Sequence, residues 1–307
     1  MSQSTLLIAI SVIAILILLP LVVMVAVRYL IPLDDEVEPE QFEPAPQMNT
    51  LRDYWEGAMP HLIELRDRLF KAFGAIILGA VVGFWLVSDY SPIGSLPILI
   101  INHFAPGRTL EAIAVAEVFI NYMAIALLVG IALAMPVVVY QIVAFFVPGL
   151  TGREKRIVFT ALPFVTELFL AGLAFGWFFT VPQALNFLLN FGIENPEIDI
   201  KPTLDNFFSI VTRLLLWNGA VFELPAIVYL LARLGVVNTK QLSATRRYAI
   251  VVIVIVAAII TPTGDPYNLL LLAIPMYLLY ELGILLSRFV PSSVKNRNAA
   301  ANSKQPA

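Results

Sequence analysis

Seven stretches of this chain are apolar enough to sit in a lipid bilayer, and most are long enough to cross one. They run over about residues 6–27, 69–87, 113–147, 157–181, 204–231, 248–260 and 269–286. A hydrocarbon core of about 30 Å takes about 20 residues of helix. Composition agrees: 59% of the 307 residues are hydrophobic, 13% are charged, and the mean hydropathy is +0.86. A single soluble core cannot hide that excess, because much of a folded surface must stay polar. The fold class is therefore an all-α integral membrane protein, and a soluble enzyme is excluded. With no cysteine there is no disulfide, thiolate metal site or thiol nucleophile. Two histidines, His61 and His103, leave almost nothing for a His-based metal site. No cofactor is expected.

Basic residues set the orientation, because Lys and Arg accumulate in cytoplasmic loops. Sixteen of the 19 fall in the stretch between the first two segments, in loops 148–156 and 233–247, and in the C-terminus. Arg108 and Lys201 lie in the alternate loops, and Arg213 lies inside the fifth segment. The linker and the C-terminus are thus expected in the cytoplasm and the N-terminus outside. Segment 6–27 has no preceding basic residue and no small-residue cleavage site, so it reads as an anchor rather than a signal peptide. Asp34, Asp35, Glu36, Glu38, Glu40 and Glu43 follow it in a Pro-rich run that cannot bury enough apolar surface to order itself. The domain reading is an N-terminal transmembrane anchor over 1–31 and an acidic Pro-rich cytoplasmic linker over 32–58. A six-helix core over 59–290 and a disordered tail over 291–307 complete it.

Two spans are irregular. Segment 248–260 has 13 residues, about 20 Å of helix, and implies local thinning of the bilayer or shelter by neighbours. Segment 113–147 would run to about 52 Å, so it must tilt, kink or protrude, with Pro136 the expected kink.

In so apolar a chain the informative residues are the ionisable ones at depth. Glu167 and Arg213 fall at matching depths and are expected to pair. Glu223, within Phe222, Glu223, Leu224 and Pro225, has no cation at its depth and reads either as a functional contact or as a structural hydrogen bond. Glu281 reads as a solvated interfacial residue. Pro60 suits a first helical turn. Leu62, Leu65 and Leu69 then form an apolar stripe, and Glu64 and Arg68 an i,i+4 pair, of an amphipathic helix lying at the cytoplasmic interface. His61 reads as a headgroup-level polar residue. Pro148 and Gly149 stop one helix, and Arg153, Glu154, Lys155 and Arg156 begin the next. The cations there have a topological reason, but Glu154 does not. Asp265, in a turn rich in helix breakers, reads as a cap of the last helix or as a functional turn residue. No catalytic constellation is present: there is no HExxH, GxSxG or Walker loop, and no paired intramembrane aspartates.

Several of these motifs occur together in one known family. They are His61, Leu62, Ile63, Glu64, Leu65 and Arg66 before a span, then Pro136 to Gln141 leading to Phe145, Pro148, Gly149 and Leu150. Phe222 to Pro225 follows in mid-span, then Arg247 with Tyr248, Thr261 with Pro262, Asp265 with Pro266, Leu272 to Pro275, and Tyr280 with Glu281. In this order, over about residues 59–290, they resemble TatC, the multispanning core of the twin-arginine protein translocase. The chain departs from that pattern in three ways. Segment 6–27 and the acidic linker are additional, Met123 stands where the family usually has a basic residue, and Leu269 stands where it often has Gln.

The resemblance implies a concave six-helix bundle opening into the bilayer of the cell membrane, with one additional N-terminal helix. It implies recognition rather than catalysis: binding of signal peptides with two adjacent arginines, and export of folded proteins driven by the proton-motive force. The implied partners are TatA- and TatB-like single-span subunits, cargo signal peptides, lipid and further copies of the chain in a receptor complex, with no nucleic acid. By resemblance Glu64 and Glu154 hold the guanidiniums, with Arg66 and Phe145 shaping the same surface. Only Arg offers the planar fork that binds a carboxylate bidentately, at about 1.5–3 kcal/mol per charged bond. Glu223 is implied as a contact for a partner helix. Two rival readings remain. A proton- or ion-coupled transporter would use Glu167, Arg213 and Glu223 as a relay, but no internal repeat supports it. An intramembrane enzyme would need a nucleophile or metal that the chain does not offer.

Overall fold

The computed structural model describes residues 51–88, 95–146, 152–190, 201–233, 237–261 and 265–288. Segment 6–27, the linker up to residue 50 and the tail 291–307 lie outside the described residues. The described elements are α1 (Leu51–Val87), α2 (Leu96–Phe104), α3 (Glu117–Phe146), α4 (Gly152–Phe175), a π-helical turn (Gly176–Thr180) and α5 (Val181–Asn190). Then come α6 (Leu204–Phe222), α7 (Leu224–Arg233), α8 (Thr239–Ala244), α9 (Arg246–Ile260) and α10 (Pro266–Arg288). Five helical stretches are long and apolar enough to cross a membrane: Met59–Val87, Glu117–Phe145, Leu162–Asn190, Leu204–Ala232 and Pro266–Arg288. α9, with 15 residues, spans only about 22 Å. It is as short as its sequence indicates.

Proline accounts for most departures from the sequence reading. α1 does not begin at Pro60. It begins at Leu51, inside the stretch read as linker, and is one rod of 37 residues rather than an interfacial helix followed by a span. Pro60 removes a single amide from the ladder, which water at the membrane surface can replace. α3 likewise continues through Pro136, and it starts at Glu117, so residues 113–116 lie outside it. The fourth segment does not stop at Val181 before Pro182. The Val181 N–H reaches back to the Gly176 carbonyl, a π-type bond, and the helix carries on to Asn190. The amide that Pro182 lacks therefore falls where the ladder has already shifted. The short helices α2 and α8 carried no strong pattern in the sequence.

The helices alternate in direction, and two close crossings fix them. A Cβ at Gly79 would run into the Gly130 carbonyl, one at Gly83 into the Ala126 carbonyl, and one at Gly130 into the backbone of Ala80. α1 and α3 therefore touch backbone to backbone in an antiparallel register, the small-residue packing that replaces hydrophobic burial in lipid. At the crossing of α4 and α6 a Cβ at Gly219 would run into the Phe169 ring. The core centres on α6. Phe207, Phe208, Val211 and Leu214 are at most 2% exposed, and Val181, Leu185, Ala257, Ile260 and Leu272 pack around them. Outward from this core α1 and α9 present broad apolar faces, among them Leu69, Phe70, Leu78, Val251 and Ile259. That is the surface a bilayer requires.

Gly83→Ala should lower the thermal midpoint in detergent by the equivalent of about 1–3 kcal/mol, because its obstacle is backbone and cannot step aside. Gly74→Ala, with open space at its Cβ, should leave the midpoint unchanged or raise it slightly. Fluorescence-detected melting of the two variants side by side checks the contrast.

Candidate functional site

The register of α1 on α3 brings the first group of candidate residues together. With Gly79 opposite Gly130 and Gly83 opposite Ala126, continuing the antiparallel pair brings Glu64 level with Phe145, in the last turn of α3. Glu154 follows in the first turn of α4, which starts at this same end and packs on α3. So Glu64 in α1 and Glu154 in the first turn of α4 lie at the same end of the molecule as Phe145, on helices that both pack on α3. Arg66, Arg68, Lys71, Arg246, Arg247 and Arg288 lie at this end too, making it the basic end of the molecule.

Several charges of this group are already engaged. Glu64 is half-buried, and its Oε1 accepts from Arg68 Nε at 2.9 Å and Arg68 Nη2 at 2.5 Å. Arg66 is exposed and donates to Asp67 Oδ1 through Nε at 3.0 Å and Nη2 at 2.8 Å. Glu281 is not a free interfacial acid. Its carboxylate takes Arg246 bidentately, at 2.7 and 2.9 Å, and accepts from the Tyr277 hydroxyl at 3.0 Å. The Tyr280 hydroxyl donates to the Leu242 carbonyl, and Thr239 Oγ1 to the Ser287 carbonyl. Together these bonds strap α8 and the start of α9 onto α10.

Glu223 stands at the break between α6 and α7. Pro225 has no N–H to offer the Val221 carbonyl, so the ladder steps there and Glu223 occupies the turn. Ten residues of α7 separate it from the basic end, about 15 Å of helix. It is 6% exposed, and neither carboxylate oxygen has a hydrogen-bond partner among the described residues. The expected pair of Glu167 and Arg213 does not form. No ion pair joins them; Arg213 is exposed, and Glu167 is half-buried on the neighbouring helix. Matching depth along two helices does not ensure matching faces.

The opposite end is tied by a residue that the sequence did not single out. Glu117 Oε2 accepts from the Ile113 and Ala114 amides at 2.7 and 3.0 Å, and its Oε1 accepts from the Asp205 amide at 2.7 Å. One buried carboxylate thus ties the segment leading into α3 to the first turn of α6. An isolated parallel bridge between Glu111 and Thr203 and an ion pair of Lys201 with Glu111 at 3.3 Å lie beside it. The only signal in the sequence was an acid in the first turn of an apolar helix. Asp265 at this end is a helix cap: Oδ1 accepts from the Asn268 amide at 2.7 Å, and Oδ2 from the Asn268 side chain at 3.0 Å. His103 stacks on Trp177 with ring centroids 5.2 Å apart, and burial lowers its pKa.

Glu117→Gln should speed amide hydrogen exchange at Ile113, Ala114 and Asp205 by about 10- to 100-fold, as bonds to a charged acceptor are lost. Exchange at Gly79 and Gly130 should stay unchanged. Exchange read by mass spectrometry in nanodiscs checks both.

Three comparisons bear on this geometry. A family model described as Sec-independent protein translocase protein (TatC) matches residues 60–275. The TatC protein of Carboxydothermus hydrogenoformans is 34% identical over 232 residues, covering 75% of this chain and 92% of that protein. The TatC protein of Escherichia coli (strain K12) is 33% identical over 237 residues, 77% of this chain and 90% of that one. A crystal structure of a twin-arginine translocase receptor, TatC, superimposes with a TM-score of 0.64 at 33% identity, covering 75% of this chain and 99% of that chain. A second crystal structure of such a receptor, in DDM, gives 0.65, with 74% and 99% covered.

Proposed function

Since the chain belongs to the TatC family of Sec-independent protein translocase proteins and is a multi-pass membrane protein, we propose that it is the receptor subunit that binds twin-arginine signal peptides on folded cargo. One observation carries this reading: the register that sets Glu64 level with Phe145, at the end of α3 from which the chain passes to α4 and Glu154 in its first turn. Two acids on helices that both pack on α3, in an end otherwise dominated by cations, suit a tag bearing two guanidiniums. The basic end faces the cytoplasm in this reading, as the distribution of Lys and Arg requires. The core is a six-helix bundle in which short α9 counts as a span, and residues 6–27 add an anchor.

The tag's arginines meet Glu64 and Glu154, while Arg66 and the Phe145 ring shape the surface between them. The apolar part of the signal then runs into the bundle. Glu223 awaits a polar group from a neighbouring helix, of the signal or of a TatA- or TatB-like subunit. Its two unmatched oxygens supply the driving force, because a buried carboxyl without a partner is costly in hydrocarbon. Asp265 caps the first turn of α10. The 22 Å reach of α9 lets lipid thin locally, which lowers the barrier to passage, and the proton-motive force supplies the work. The receptor complex holds several copies of the chain.

Glu154→Ala should weaken site-specific crosslinking to an Arg-Arg signal by about tenfold while the protein still inserts. Normal binding and export by that variant would overturn the recognition assignment. Glu223→Ala should leave the initial crosslink in place and abolish crosslinks to single-span subunits. Unchanged subunit crosslinks together with normal export of a folded reporter would defeat that role.

A further inference from the structure

The carboxylate assigned to the incoming tag is not vacant. Glu64 Oε1 already receives two N–H groups of Arg68, from Nε and from Nη2. A carboxylate oxygen has two lone pairs, so Oε1 is saturated, and no bond to Oε2 is recorded from any described residue. The pair is also sheltered. Its side chains are 24% and 29% exposed, against 62% and 52% for the neighbouring pair of Arg66 and Asp67. The bidentate bond that distinguishes Arg from Lys uses one lone pair on each oxygen. It cannot form while Arg68 holds Oε1.

We propose that Arg68 is a built-in occupant of the Glu64 carboxylate, which an arginine of the signal peptide must displace, and that this exchange sets the affinity for the tag. The proposal rests on the reading of Glu64 given above. In the free receptor Arg68 neutralises Glu64 and stops it from gathering stray cations at a membrane surface rich in basic segments. An arginine of the tag replaces one guanidinium with another and gains the second oxygen. A lysine, which presents a point charge, settles on Oε2 beside Arg68 and never needs Oε1. Arg68 therefore acts as a specificity-determining residue through Glu64. Once displaced it remains one helical turn away, ready to return when the signal leaves, which gives release a route that needs no outside competitor.

The test uses the full chain in nanodiscs with two synthetic signal peptides, one carrying Arg-Arg and one Lys-Lys, both read by fluorescence anisotropy. Arg68→Gln should bind the Arg-Arg peptide about 2- to 5-fold more tightly than wild type, the range that freeing a half-exposed ion pair allows. It should bind the Lys-Lys peptide with a smaller gain, so that discrimination widens. Arg68→Lys should fall between, and it serves as the deciding variant if Arg68→Gln loses its helical circular dichroism. Unchanged or weaker Arg-Arg binding by a folded variant would overturn the exchange, because a merely structural Arg68 would give that result. Glu64→Gln separates the two layers. If it binds like wild type, the recognition reading itself falls; if it binds weakly while Arg68→Gln does not tighten, only the exchange falls.

Discussion

Hydrocarbon offers no hydrogen bonds, and every polar group inside this molecule has to be matched by the molecule itself. The structure is organised by that constraint. Asn218 is satisfied by the Leu214 carbonyl and Thr180, Thr166 by the Leu162 carbonyl, and Thr261 by the Ala257 carbonyl. Glu117 goes further and spends both carboxylate oxygens on backbone amides from two separate segments. Against this background Glu223 is an exception, since both its oxygens are buried without a partner. The Trp177 indole N–H is likewise buried without a partner, but among the described residues Glu223 is the one buried carboxyl left unmatched, and it stands at a helix break.

The two ends of the molecule carry different kinds of bond. At the end away from the basic residues the important contacts are to backbone: the Glu117 bonds to three amides, the bridge of Glu111 with Thr203, the Asp265 cap. Such contacts fix the path of the chain and do not exchange. At the basic end they are mostly between side chains of opposite charge: Glu64 with Arg68, Arg66 with Asp67, Glu281 with Arg246. A guanidinium on a carboxylate is replaced at small net cost by another guanidinium, whereas a backbone amide has no substitute. Recognition by exchange is therefore possible at one end, and the other serves as its fixed frame.

Much of this was legible in the sequence. Long apolar runs gave five described spans and the short α9, because lipid solvation imposes a length and a composition that few other contexts do. The family resemblance was carried by motifs at helix ends and in mid-span, and they fall where chain geometry matters: Phe145 at the end of α3, Glu223 at a break, Asp265 at a cap. What could not be read were relations across space. Pro60 looks like a helix start and Pro182 like a stop, yet both lie inside continuing helices. Glu167 and Arg213 match in depth but not in partnership, as face and crossing geometry cannot be counted along a chain. Glu281 looked solvated until Arg246, 35 residues earlier, came round to meet it. Glu117 was counted as part of a span, and only the fold brings the Asp205 amide to it.

The length of α1 has a mechanical side. Its 37 residues make a rod of about 55 Å, and a hydrocarbon layer takes up only about 30 Å of it. The remainder is a cantilever standing off the lipid, clamped at its root by the glycine crossing with α3. Glu64 and Arg68 sit near the point where this beam leaves its support. A pull on the free arm would lever the embedded half against α3, so a force applied there reaches the interior as a torque, with no need for a relay of small side-chain movements.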